Sequence, residues 1–143
     1  MGAIGMCLTG NFALAMAVDP AMMAPVLSQP SLPFPISAAC RRGLHVSDAD
    51  LATIQGRCAR DGLRVLGMRF TGDPAVPAER FAHLREAFGA SFEAIEIDSA
   101  AGNAAAVPRD AHSVVTEHLV DEPGHPTRVA RDRVLAFFGE QLR

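Results

Sequence analysis

Gly5-Met6-Cys7-Leu8-Thr9-Gly10 sets a cysteine among small residues, between a short apolar lead and the apolar run that continues to Val18. The pattern reads as a strand that turns abruptly into a helix with the cysteine at the turn, a nucleophile elbow. A nucleophile carried there takes a strained backbone conformation, so the residues two before and two or three after it must be small. Here those residues are Gly5, Thr9 and Gly10. The same turn sets the Cys7 sulfur at a helix N-terminus, where unpaired N–H groups and the helix dipole favour a thiolate. The Leu8 amide is the natural donor to an oxyanion formed beside it. A buried structural cysteine is the alternative reading of the stretch.

Outward from the elbow, strand-like and helix-like runs alternate. Residues 2–6 are a short strand, and 8–18 is apolar nearly all round, as expected of a helix buried under a sheet. The second strand lies within 22–29, its regular part at 25–29, because Pro25 cannot donate to a ladder and must sit at a strand's beginning or on a bulge. Pro30, Pro33 and Pro35 mark a loop over 30–43 that has room for a helical turn. Ser47 with Asp48 and Asp50 signals a helix start, Leu51, Ile54 and Cys58 share one face, and Gly62 ends it. Residues 63–70 read as a buried parallel strand, 77–88 as an amphipathic helix ended by Gly89, and 92–97 as the last strand. A long loop, 98–124, leads to a final helix opened by Pro126, with Val129, Val134, Phe138 and Leu142 along its apolar face. Strand and helix alternate four times, which predicts a three-layer α/β/α fold with a parallel sheet of about four strands.

The chain has 143 residues, 49% of them hydrophobic, enough for one domain with a proper core. A net charge of -3, with no basic run longer than Arg41-Arg42, excludes an electrostatic footprint for nucleic acid. Small molecules or proteins are the expected partners. Cys7, Cys40 and Cys58 show neither a C-x-x-C pair nor metal-ligand spacing, which argues against zinc and fits a reducing, cytoplasmic setting. The uncharged first 18 residues lack a basic flank, are broken by Gly2, Gly5, Gly10 and Asn11, and close at Asp19-Pro20, so they read as neither signal nor membrane span.

A thiolate nucleophile needs a base and a group to orient it. Asp73 follows a strand in Gly72-Asp73-Pro74, where helix capping or an Asx turn is the alternative role. Of five histidines, His45 precedes a helix cap and His83 lies within a helix. His112, His118 and His125 follow the last strand, although Gly124-His125-Pro126-Thr127 is equally a helix start and His118 could simply pack the loop.

The elbow resembles that of the dienelactone hydrolase family, an α/β-hydrolase group with a cysteine nucleophile, with Thr9 where the second glycine usually stands. Gly72-Asp73-Pro74-Ala75-Val76-Pro77 resembles the family's acid turn, its glycine closer to the Asp, and Ala111-His112-Ser113 resembles its histidine loop. The resemblance spans nearly the whole chain and implies a Cys7, Asp73, His112 triad in that order, with Leu8 as oxyanion donor. It implies hydrolysis of a small ester or lactone with no cofactor or metal. Where members with anionic dienelactone substrates carry an arginine four residues after the base, this chain has Thr116. Complete members have several strands and an oxyanion loop before the elbow. The resemblance therefore predicts a single, N-terminally truncated domain, a partial α/β-hydrolase fold. The alternative is a non-catalytic fragment that associates, for instance with a second copy, through its exposed sheet edge.

Overall fold

Ala-Pro-Val-Leu-Ser (24–28) and Val-Leu-Gly-Met-Arg-Phe (65–70) bury every residue, which places them at the centre of a sheet covered on both faces. In the computed structural model, which describes residues 1–143, they are the middle pair of one four-stranded sheet. Its strands are β1 (Gly2–Met6), β2 (Ala24–Ser28), β3 (Val65–Phe70) and β4 (Phe92–Ile97), in spatial order β1-β2-β3-β4 and parallel throughout. Pro25 stands in β2 opposite Ala3 of β1, but the ladder to β3 starts only at Val26–Leu66. The Ala24 amide turns toward β1, to the Met1 carbonyl, so the Pro25 nitrogen faces the β3 side where no ladder bond is yet required.

Side-chain alternation divides the core into two. Leu27, Val65 and Phe92 face α1 (Gly10–Ala15), α3 (Asp48–Asp61) and α4 (Ala78–Phe88) through Leu14, Ile54, Phe81 and Leu84. Val26, Leu66, Met68 and Phe70 face α5 (Pro126–Gln141) and the 98–124 loop through Val114, Ala130, Val134 and Phe137. Helices therefore cover both faces, the expected three layers. A short α2 (Ala38–Arg42) lies within the proline-marked loop, capped by Ser37. Ser47 caps α3 by accepting from the Asp50 amide, and Gly62 ends it in the left-handed conformation at φ 68°.

Two helices differ from the sequence reading. The run after the elbow is a 3-10 turn (Cys7–Thr9), α1, and a second 3-10 turn (Met16–Val18) rather than one uniform helix. In α5 the buried residues are Thr127, Ala130, Val134 and Phe137, while Val129 and Leu142 are exposed and Phe138 is partly buried. Thr127 and Ala130 take the inward positions, and Val129 is left on the outer side. Phe138 instead packs over Gly2, where an added Cβ would lie 2.9 Å from the ring.

Three arginines that composition alone would place on the surface are buried. Arg57 donates to the carbonyls of Ala17, Asp19 and Met22, closing the end of the first helical run. Arg69 in β3 binds Glu96 and the Val76 carbonyl. Arg80 of α4, fully buried, gathers the carbonyls of Pro30, Pro33, Cys40 and Gly43 at 2.5–2.9 Å. A guanidinium has five N–H donors in a fixed fork, so one side chain can hold a whole loop. Burial pushes the Arg80 pKa down to about 10, still charged at neutral pH.

Candidate active site

Cys7 sits where β1 ends, in the left-handed region at φ 54°. For a non-glycine residue that conformation costs of order 1–3 kcal/mol and needs firm support. The support is local. Thr9 Oγ1 donates to the Met6 carbonyl at 2.8 Å and accepts from the Met6 amide at 3.1 Å, tying the far side of the turn back to the strand. A Cβ on Gly5 would come within 2.2 Å of the Thr9 carbonyl oxygen, and one on Gly10 within 2.4 Å of Pro30 Cα. Small residues are thus required at 5 and 10, for different reasons: the turn folding on itself, and the approach of the β2 loop.

Asp73 follows β3 and is almost fully buried. Its two oxygens divide the work. Oδ1 accepts from the Ala75 amide at 2.9 Å, the Asx-type turn foreseen as the alternative role, and Oδ2 meets His112 Nδ1 at 2.5 Å. Asp73 thus makes the Asx-type turn and the imidazole contact at once. His112 comes from the loop after β4 and lies close enough to Cys7 for each to shift the other's pKa.

Burial alone would raise the Cys7 thiol's pKa. Hydrogen bonds from His112 and Ser31, the charge of His112 and the Leu8 amide outweigh it and hold the thiol below its ordinary value. Burial likewise lowers the His112 pKa, but hydrogen bonds to Cys7 and Asp73 and the charges of both raise it above the ordinary imidazole value. Each group favours the charged form of the other. Cys58, by contrast, is pushed up by burial despite a hydrogen bond to Ser91.

The structure brings Cys7, Asp73 and His112 together at the C-terminal ends of β1, β3 and β4, the edge where open α/β sheets carry their sites. The other histidines are occupied elsewhere. His118 Nδ1 accepts from the Ser113 and His112 amides, so it shapes the loop that carries His112. His125 caps α5 and pairs with Thr127.

Three contributors were not legible in the sequence. The Ser31 hydroxyl lies 3.6 Å from the Cys7 sulfur. Gln29, buried at φ 36°, accepts from the Ser28 hydroxyl and the Val114 amide and so joins the end of β2 to the histidine loop. Arg80 holds the loop that begins at Pro30. One available signal was adjacency: the loop after β2 must emerge beside the loop after β1 if the two strands are parallel neighbours.

The site is open to solvent, with 28% of the His112 side chain exposed, and none of the surface cavities is lined by Cys7, Asp73 or His112. No group of three or more His, Cys, Asp or Glu side chains is placed to hold a metal ion. No helix is long and apolar enough to cross a membrane. Comparison with protein-family models, curated proteins and solved structures finds no match to this chain.

Proposed function

We propose that the chain is a cysteine hydrolase of the dienelactone hydrolase type, acting on a small carboxylic ester or lactone. The observation that carries this is the Asp73–His112 hydrogen bond of 2.5 Å, on an imidazole that shares its pKa shift with a cysteine held at φ 54°. In this reading His112 takes the Cys7 proton and the thiolate attacks the substrate carbonyl, with the Leu8 amide facing the developing oxyanion. Collapse breaks the acyl C–O bond, and the imidazolium gives its proton to the departing alkoxide. Water, deprotonated by His112, then cleaves the thioester and releases the acid. Asp73 keeps the ring in the tautomer that leaves Nε2 toward sulfur.

Turnover of p-nitrophenyl acetate tests the assignment. Cys7→Ala should abolish it and His112→Ala should lower it by about 10²–10⁴-fold, the usual contribution of a general base. His125→Ala should leave turnover near wild type while weakening the α5 cap by about 1 kcal/mol. Equal losses in the two histidine variants would remove His112 from the role.

A second reading, a non-catalytic unit that associates through its sheet edge, draws on a different observation. β1 is an edge strand, and Leu8, Phe12 and Met16 beside it form an apolar stripe, 48%, 46% and 44% exposed. An inactive wild-type chain with Cys7 no more reactive toward alkylation than Cys58 would favour it.

A further inference from the structure

The loop after β2 contributes to the nucleophile's environment. Ser31 is 2% exposed, its amide donates to the Cys7 carbonyl at 3.0 Å, and its hydroxyl oxygen stands 3.6 Å from the Cys7 sulfur. The backbone bond fixes the loop to the strained residue itself, and the side-chain contact follows from it. Gly10 admits the approach, since Pro30 lies where its Cβ would be. Arg80 holds the Pro30 and Pro33 carbonyls on either side of Ser31, so the hydroxyl is fixed from both directions.

We propose that the Ser31 hydroxyl is a positioning and thiolate-stabilising donor to Cys7, supplied by the neighbouring β2 loop. The inference rests on Cys7 being the activated nucleophile. A thiolate has no proton to give, so once His112 has taken the sulfur's proton the hydroxyl must be the donor in this pair. Hydrogen bonds to charged groups are the stronger kind, and a second donor beside the imidazole lets the anion persist at lower pH. Ser31 also acts on the direction of attack. The sulfur is held between the imidazole and a hydroxyl on a separate loop, which restricts its rotation about the Cα–Cβ bond. His112, itself held by Asp73, is the titratable group that acts on this sulfur from the opposite loop.

The effect is separable from folding. Val and Thr have nearly the same shape, so Ser31→Thr and Ser31→Val differ in the hydroxyl alone, and Ser31→Ala removes it without adding bulk. The rate of Cys7 alkylation by iodoacetamide is followed from pH 4 to 10 in the intact chain by peptide mass spectrometry, with half-buried Cys58 in the same sample reporting the integrity of the fold. The expected result is a Cys7 midpoint raised by about one pH unit in Ser31→Ala and Ser31→Val, with labelling below that midpoint slowed about tenfold, the scale of a hydrogen bond to a charged group. At high pH the two variants should match or exceed wild type, since a less stabilised thiolate is the stronger nucleophile. Ser31→Thr should stay near wild type. Coincident pH profiles in Ser31→Thr and Ser31→Val overturn the proposal, as does an unmoved midpoint in Ser31→Ala with Cys58 still protected. If Ser31→Ala exposes Cys58, the Thr and Val pair decides. Slow labelling of Cys7 in the wild type, no faster than Cys58, would instead remove the nucleophile reading on which the inference stands.

Discussion

His112 and Cys7 shift each other's protonation in opposite directions, and the signs fix two pH dependences. The thiol is held below its ordinary value, against burial, by His112, Ser31 and Leu8, so Cys7 alkylation should reach its midpoint at lower pH than that of Cys58, whose pKa burial raises. Peptide-resolved labelling rates measure both in one sample. For stability the relevant group is His112. Its folded pKa lies above the unfolded value despite burial, through Cys7 and Asp73, so its contribution is fully present below the unfolded pKa and is lost as pH rises through the folded one. Asp73→Asn should therefore lower the unfolding free energy from urea titration most at acid to neutral pH, by about 1.5 kcal/mol, and less at pH 9. A gap between variant and wild type that is independent of pH would place the Asp73 contribution in its bond to the Ala75 amide instead. Residue chemistry was partly readable beforehand. Cys7, Asp73 and His112 could be named because each chemistry calls for few residue types at the ends of strands. Ser31 could not, because a serine among prolines carries no signal until its loop is placed.

The elements were legible where local physics decides them. Ser47 and Gly62 mark the two ends of α3 because a cap and a left-handed terminator act within a few residues. The inward face of α5 was not, because buried Thr127 is held by hydrogen bonds to His125 and the Val120 amide rather than by hydrophobicity. Buried Arg57 and Arg80 escaped because the carbonyls they gather lie far away in sequence. Two elements invite direct tests. Gly5→Ala forces a Cβ to within 2.2 Å of a backbone oxygen in the elbow, so it should destabilise the fold by about 1–3 kcal/mol and lower p-nitrophenyl acetate turnover more than tenfold through a displaced sulfur. Full activity in that variant would mean that the turn relaxes freely. Arg80→Met keeps the stem but strands the carbonyls of Pro30, Pro33, Cys40 and Gly43, and chemical denaturation should show a loss of about 3 kcal/mol or more. Proteolysis should then nick first between residues 30 and 43.

At the scale of the molecule, the uncovered side of β1 and the Leu8, Phe12 and Met16 stripe lie on the same flank as Cys7. Leu8 directly follows Cys7, so a second copy paired along this flank would border a site that is otherwise open. Under the edge-association reading, sedimentation velocity should show a concentration-dependent dimer, dissociated by Phe12→Lys. A monomer throughout the micromolar range would assign the stripe no such role. The sheet is wound in simple sequence order, so each strand finds a neighbour made just before it, and most of the sheet assembles through connections of modest length. The contact between the seventh residue and the 112th is the exception. It closes the longest loop that the site requires, and such closures carry the largest entropic penalty and come late. Cys7 is synthesised well before His112. Until the loop after β4 docks, the sulfur lacks the imidazole that holds its pKa down, so in the proposed reading the thiol stays protonated, and chemically quiet, while the protein is still folding.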